Sequence, residues 1–105
     1  MRDGFIAIIN SDGRVSYSQY KNGKRYGYGI FTDYNGRVYR GQLKHMFPNG
    51  YGHAKYANDD EYDGQWVNNR YHGVGVFKDA LSGRIERRLY ENGHIQEVLE
   101  VIQEG

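Results

Sequence analysis

The sequence predicts an all-β fold: a single-layer antiparallel sheet of stacked β-hairpins, followed by a short C-terminal α-helix. Three observations lead there. A Gly-x-Gly pair returns every 23 residues, as Gly27-Gly29, Gly50-Gly52 and Gly73-Gly75. Aromatic and β-branched residues fill the runs beside these pairs, and helix-period spacing is absent until the C-terminus. Asp12-Gly13, Asn35-Gly36 and Asn58-Asp59 punctuate the runs with dipeptides that supply positive φ in tight turns. Self-similarity at a short fixed period marks a repeat array, in which each unit buries its apolar face only by stacking on its neighbours.

The array is expected over residues 1–94. Residues 4–15 read as the second half of a unit, because Gly4 and Gly13 fall 23 residues before Gly27 and Gly36. Complete units follow at 16–38, 39–61 and 62–85, the last one residue longer. Residues 86–94 read as a first half, since Tyr90-Glu91-Asn92-Gly93 repeats Tyr20-Lys21-Asn22-Gly23. Each unit is read as a hairpin whose first strand resembles Tyr62-Asp63-Gly64-Gln65-Trp66 and whose second resembles Gly73-Val74-Gly75-Val76-Phe77.

Glycine inside a strand costs roughly 0.5–1 kcal/mol relative to alanine, so a repeat that keeps it gains something from the missing side chain. With alternation of period two, Tyr62, Gly64 and Trp66 share a face with Gly73, Gly75 and Phe77. Flat backbone then lies open to aromatic rings, and burying one ring contributes about 2–3 kcal/mol. Tyr39, Tyr62, Trp66, Phe31 and Phe77 are the expected stripe. The other face carries Tyr28, Ile30, Tyr51, His53, Val74 and Val76. In the segment 95–105, Ile95, Val98, Leu99 and Ile102 fall at i, i+3, i+4 and i+7, which predicts an amphipathic helix laid on the sheet.

The run Tyr62-Asp-Gly-Gln-Trp-Val-Asn-Asn-Arg-Tyr-His-Gly-Val-Gly-Val-Phe closely resembles a MORN (membrane occupation and recognition nexus) repeat, with Tyr-x-Gly-x-Trp followed by Gly-x-Gly and an apolar residue. Tyr39, Gly41, Leu43, Gly50 and Gly52 form a second match. The first unit departs from the pattern, with Ser16 for tyrosine, Ser18 for glycine and Tyr20 for tryptophan. The resemblance spans about residues 4–94 and implies a rod-like or curved antiparallel sheet. Such arrays occur in junctophilins, plant phosphatidylinositol phosphate kinases, a lysine methyltransferase, radial-spoke proteins and parasite cytoskeletal proteins, where they mostly scaffold, dimerise or dock.

Composition narrows the chemistry. The chain has no cysteine, so disulfides and thiolate metal sites are excluded. No P-loop or serine-nucleophile motif occurs, the Gly-x-Gly pairs lack the third glycine of a dinucleotide fingerprint, and His45, His53, His72 and His94 show no metal-ligand spacing. The cluster Asn58-Asp59-Asp60-Glu61 lacks the alternating donors of a calcium loop. The expectation is therefore a non-enzyme with no catalytic residues, cofactor or metal.

Residues 1–52 carry a net +5 and residues 53–105 a net −4, a split that suits a polar partner or another copy. The expected function is protein–protein interaction or self-association within a larger assembly, cytoskeletal or ciliary in kind, through Tyr28, Ile30, Tyr51, His53, Val74 and Val76. The alternative is a peripheral module that meets anionic phospholipid through Lys21, Lys24, Arg25, Lys44, Arg84, Arg87 and Arg88. Nucleic-acid binding is not expected from a net charge of +1. The stretch Phe5-Ile6-Ala7-Ile8-Ile9 is too short for a signal or a membrane span, so a cytoplasmic location is expected.

Overall fold

Alternating apolar and polar positions between glycine-bearing turns carry the described residues into nine antiparallel strands. A computed structural model describes residues 4–105; residues 1–3 of the expected array lie outside it. The strands are β1 (Gly4–Ile9), β2 (Val15–Lys21), β3 (Lys24–Thr32), β4 (Val38–Lys44), β5 (Phe47–Lys55), β6 (Glu61–Val67), β7 (Arg70–Lys78), β8 (Ile85–Glu91) and β9 (His94–Gln103). They form one sheet whose spatial order is the sequence order, 47 × 26 × 17 Å in extent.

Two kinds of turn alternate along the two long edges. The bends inside units place both central residues at positive φ: Asn22-Gly23, His45-Met46, Asn68-Asn69 and Asn92-Gly93. This is the twist-matched hairpin geometry that favours Asn and Gly. Neighbouring bends are tied together by backbone. The Met46 N–H donates to the Arg25 carbonyl at 3.2 Å, Asn69 N–H to Pro48 at 2.9 Å and Gly93 N–H to Tyr71 at 2.8 Å. At the junctions between units only the second residue of each predicted dipeptide is left-handed, with φ of 88° at Gly13, 89° at Gly36 and 71° at Asp59.

The hairpin registers slip at one place in each unit, between Ser18 and Tyr20, Gly41 and Leu43, and Gly64 and Trp66. Gln19, Gln42 and Gln65 are thereby left without a partner across the hairpin. Each turns its Oε1 back as an acceptor, to the N–H of Tyr28 (2.8 Å), Tyr51 (2.6 Å) and Val74 (3.2 Å). The preceding residues Gly27, Gly50 and Gly73 have φ of 79°, 97° and 84°, and a Cβ on any of them would collide with that glutamine oxygen. The first glycine of each pair is thus required by a β-bulge that a glutamine closes.

The second glycine serves packing. The rings of Tyr39 and Tyr62 lie over Gly52 and Gly75, where any Cβ would enter the ring. Each phenol then reaches the bulge and donates to a backbone carbonyl, Tyr39 to Gln42 at 2.6 Å and Tyr62 to Gln65 at 2.8 Å. Trp66 continues the cover, its indole N–H donating to the Gly52 carbonyl at 3.1 Å. Tyr39, Tyr62, Trp66, Phe31, Leu43, Ala54 and Tyr90 are buried, with Tyr56, Tyr71 and Phe77 packed against them. Trp66 meets Tyr39 and Tyr62 edge-on at 5.3 and 5.2 Å, and Tyr71 stacks on Tyr62 at 3.8 Å. The aromatic stripe is where the alternation predicted it.

Unit one is built differently. Ser16 and Ser18 are buried where tyrosine and glycine stand in the later units, and the Ser18 hydroxyl has no hydrogen-bond partner. The array is therefore weakest in aromatic cover toward β1.

The C-terminal helix does not form. Residues 94–103 are strand β9, paired with β8. The reason lies in three register shifts, between Ile85 and Glu86, Arg87 and Arg88, and Leu89 and Tyr90. β9 spends ten residues against seven on β8, so the residues on one face become Ile95, Val98 and Val101, opposite Tyr90, Arg88 and Glu86. A strand bulged every third residue repeats its apolar positions at a period of three, which mimics helical spacing. Ion pairs fasten it: Arg87 to Glu100 at 3.2 Å and Arg84 to Glu104 at 2.8 Å. Ile95, Val98 and Ile102 consequently stay exposed, and among the described residues no helix covers either face of the sheet.

Candidate functional site

The sheet presents an inner face with the aromatic stripe, an outer face, and an edge of hairpin bends. Pairing fixes which residues share the outer face. One cross-strand row runs Tyr17, Ile30, Arg40, His53, Asp63, Val76 and Arg87, and a second holds Tyr28 beside Gln42, Tyr51 beside Gln65 and Val74 beside Leu89. The six residues expected to bind protein therefore fall in two adjacent rows across β3, β5 and β7. Tyr28 is 51% exposed and Tyr51 58%, and Ile30 and Val74 are also exposed. His53 is held by Glu61, Nε2 to Oε1 at 2.9 Å, and Lys78 approaches the same carboxylate at 3.9 Å. A hydrogen bond from Tyr51 to Asp63 holds that phenol above its ordinary pKa. The spacing of 23 residues set the rows in place, but Tyr17 and Phe5, which stack at 5.2 Å and extend the same face onto β2 and β1, were not singled out in the sequence.

The basic residues separate into two groups. Lys21, Lys24 and Lys44 sit at the bends with Arg70, and none of the four takes part in an ion pair among the described residues. Lys21, Lys24, Arg25, Tyr26 and His45 line one hollow, and His45, Phe47, Asn68, Asn69 and Arg70 line the next, so the two hollows adjoin at His45. Lys21 also lies 5.3 Å above the Tyr26 ring. Arg25, Arg84, Arg87 and Arg88 are engaged with neighbouring side chains. Arg25 covers Phe31 at 4.7 Å and Arg88 covers Phe77 at 4.6 Å. Glu86 receives Arg84 at 2.7 Å and Arg88 at 2.8 Å, which holds its carboxyl below the usual range, and Arg87 is paired to Glu100.

On the inner face the Tyr39 and Tyr62 phenols donate to backbone carbonyls, while the Tyr90 hydroxyl accepts from Arg88 at 2.8 Å. Burial raises Tyr39, Tyr62 and Tyr71 well above the ordinary tyrosine value, and raises Tyr56 and Tyr90 as well; Tyr56 and Tyr71 share a hydroxyl–hydroxyl hydrogen bond. A tyrosine whose folded pKa exceeds its unfolded one stabilises the fold fully below about pH 10, and that stability is lost as pH rises toward the folded value. Alkaline unfolding is accordingly expected above pH about 10, with tyrosinate absorbance from the core rising together with loss of the near-ultraviolet dichroism. Core tyrosinate forming in a chain that keeps its native dichroism would contradict it.

Among the described residues no three His, Asp or Glu side chains converge to hold a metal ion, and no helix is long and apolar enough to cross a membrane. No curated protein matches the chain significantly. The MORN repeat profile matches three adjacent segments, 18–36, 39–61 and 62–80, more than half of the chain. Arrays of this kind are generally associated with protein or membrane interactions. The matched segments carry the tyrosine-over-glycine packing, the glutamine-closed bulges and the Gly-x-Gly strands described above, and the chain belongs to the MORN repeat family.

Proposed function

We propose that this array is a non-catalytic module that binds a protein partner through its outer face, as a small subunit of a larger assembly. The observation that carries the reading is the uncovered pair of rows around Tyr28, Ile30, Tyr51 and Val74. Large apolar side chains repeated on a rigid sheet, with no helix to shield them, mark an interface more readily than isolated exposed residues do. The family resemblance alone suggests that the assembly is of cytoskeletal or ciliary type. The test is affinity capture with the full chain, comparing wild type with Tyr51→Asp and Val76→Asp. Both variants are expected to fold and to lose the captured partner, and an unchanged partner set would sink the proposal.

A second reading is favoured by one observation, the absence of ion pairs at Lys21, Lys24, Lys44 and Arg70 on the bend edge among the described residues. Cations left free beside exposed Tyr26 and Phe47 suit an anionic bilayer, each contributing about 1 kcal/mol near the surface. Arg84, Arg87 and Arg88 are already satisfied by carboxylates and add little. Flotation with phosphatidylcholine vesicles containing phosphatidylserine should then weaken with salt and with Lys21→Glu and Lys44→Glu. Binding that ignores both would remove this reading.

A further inference from the structure

Two arginines lie over two phenylalanines at nearly the same distance, and their surroundings differ. Arg88 covers Phe77 at 4.6 Å, and the chain itself supplies its acceptors, Glu86 at 2.8 Å and the Tyr90 hydroxyl at 2.8 Å. Arg25 covers Phe31 at 4.7 Å but meets no carboxylate among the described residues, and its Nε is buried without an acceptor there. A buried cationic donor left unpaired is costly, and a bound anion would remove that cost. The backbone of Arg25 is held at the bend: its N–H donates to the Met46 sulfur at 3.0 Å, and its carbonyl accepts from the Met46 N–H at 3.2 Å. The period of 23 puts Pro48 and Tyr71 at the equivalent positions of the later units, so this cation belongs to unit one and not to the shared framework of the repeat.

Arg25 lines a hollow of about 380 Å³ together with Phe31, Tyr34, Arg37, Pro48 and Tyr56. Arg37 is the second cation of the hollow, fixed by the Asp33 carboxylate at 2.7 Å and by Asn69 Oδ1 at 2.9 Å. Two guanidiniums against one carboxylate leave the hollow with one positive charge beside aromatic walls. We infer that it binds a carboxylate carried on an apolar group, the carboxylate taking the free donor of Arg25 and the apolar part lying against Phe31 and Tyr56. The chain holds a precedent for this pairing, since Glu86 receives Arg84 at 2.7 Å and Arg88 at 2.8 Å. A monoanion neutralises the hollow, whereas a phosphate dianion would exceed its charge and meet Asp33. A free organic acid and an acidic side chain of a bound peptide both carry this chemistry. Phe31 and Tyr56 belong to the aromatic stripe, so the hollow is separate from the outer-face rows and either can fail without the other.

The test follows the Arg25 Nε–H signal of the full chain by nitrogen-15 NMR while 3-phenylpropanoate is added. The signal should shift downfield and saturate, because the Nε–H gains a charged acceptor. The neutral amide of the same acid should bind at least about tenfold more weakly, as should inorganic phosphate. Arg25→Met, which keeps an apolar cover on Phe31, and Arg25→Lys, which keeps the charge without the planar donors, should each weaken the acid at least about tenfold. Native Trp66 fluorescence checks that both variants fold, and the wild-type titration stands without them. Tyr51→Asp, on the outer face, should bind the acid as wild type does. A second titration with N-acetyl-glutamyl-phenylalanine amide separates the sources: a tighter fit than the free acid assigns the carboxylate to a peptide side chain, and a weaker one to a free acid. An Nε–H signal unmoved by either probe, an amide or phosphate that binds as tightly as the acid, or full binding by Arg25→Lys would overturn the inference.

Discussion

Trp66→Ala is expected to destabilise the chain by about 3–5 kcal/mol, a large part of the stability of a domain this size. The indole is 1% exposed, touches Tyr39, Tyr62 and Tyr71, and donates to the Gly52 carbonyl, so its removal opens a cavity and leaves a buried acceptor without its partner. Neighbouring units lose their common ring at once. Urea denaturation followed by far-ultraviolet dichroism measures the loss. The same residue is the only tryptophan, so wild-type fluorescence should be blue-shifted when folded. Wild-type stability in the variant would mean that the stripe is not what holds the units together.

Gly75→Ala is expected to cost at least about 3 kcal/mol, although it adds one methyl group, because overpacking here has no flexible side chain to displace. The added Cβ would enter the Tyr62 ring, which is itself pinned by its hydrogen bond to Gln65 and by Tyr71 stacked upon it. The decisive measurement is a double-mutant cycle with Tyr62→Ala. Once the ring is gone the penalty at position 75 should largely vanish. Additive penalties would show that the glycine is needed for some reason other than the ring above it.

Much of this architecture could be read from residue spacing, and the portion that could not has a definite cause. Period 23 places equivalent residues at equivalent points, so Tyr39 and Tyr62, Gly52 and Gly75, and Tyr28 and Tyr51 were each assignable to a face by alternation. Gln19, Gln42 and Gln65 recurred just as regularly, but their work is to close a bulge, and a bulge leaves no trace in an alternation pattern. The same blindness explains β9. One bulge per unit leaves period two recognisable, whereas three in ten residues set Ile95 and Val98 three apart and leave Leu99 and Ile102 unpaired at bulges, so that the four read as a helical pattern. On the basic side, charge counting could not distinguish Lys21 and Lys44, which meet no carboxylate among the described residues, from Arg84, Arg87 and Arg88, which do; that depends on where Glu86, Glu100 and Glu104 fall across the register.

The identity of spatial and sequence order has a consequence for how the molecule comes apart. Every strand pairs only with the strands before and after it, and rings and bends reach one strand further, so stability is close to a sum over near-neighbour couplings. The couplings are unequal: strongest where Tyr39, Trp66, Tyr62, Tyr71 and Tyr90 interlock, and weaker toward Ser16 and Ser18. Opening accordingly begins at the β1 end and advances inward like a zip, halting where the rings begin.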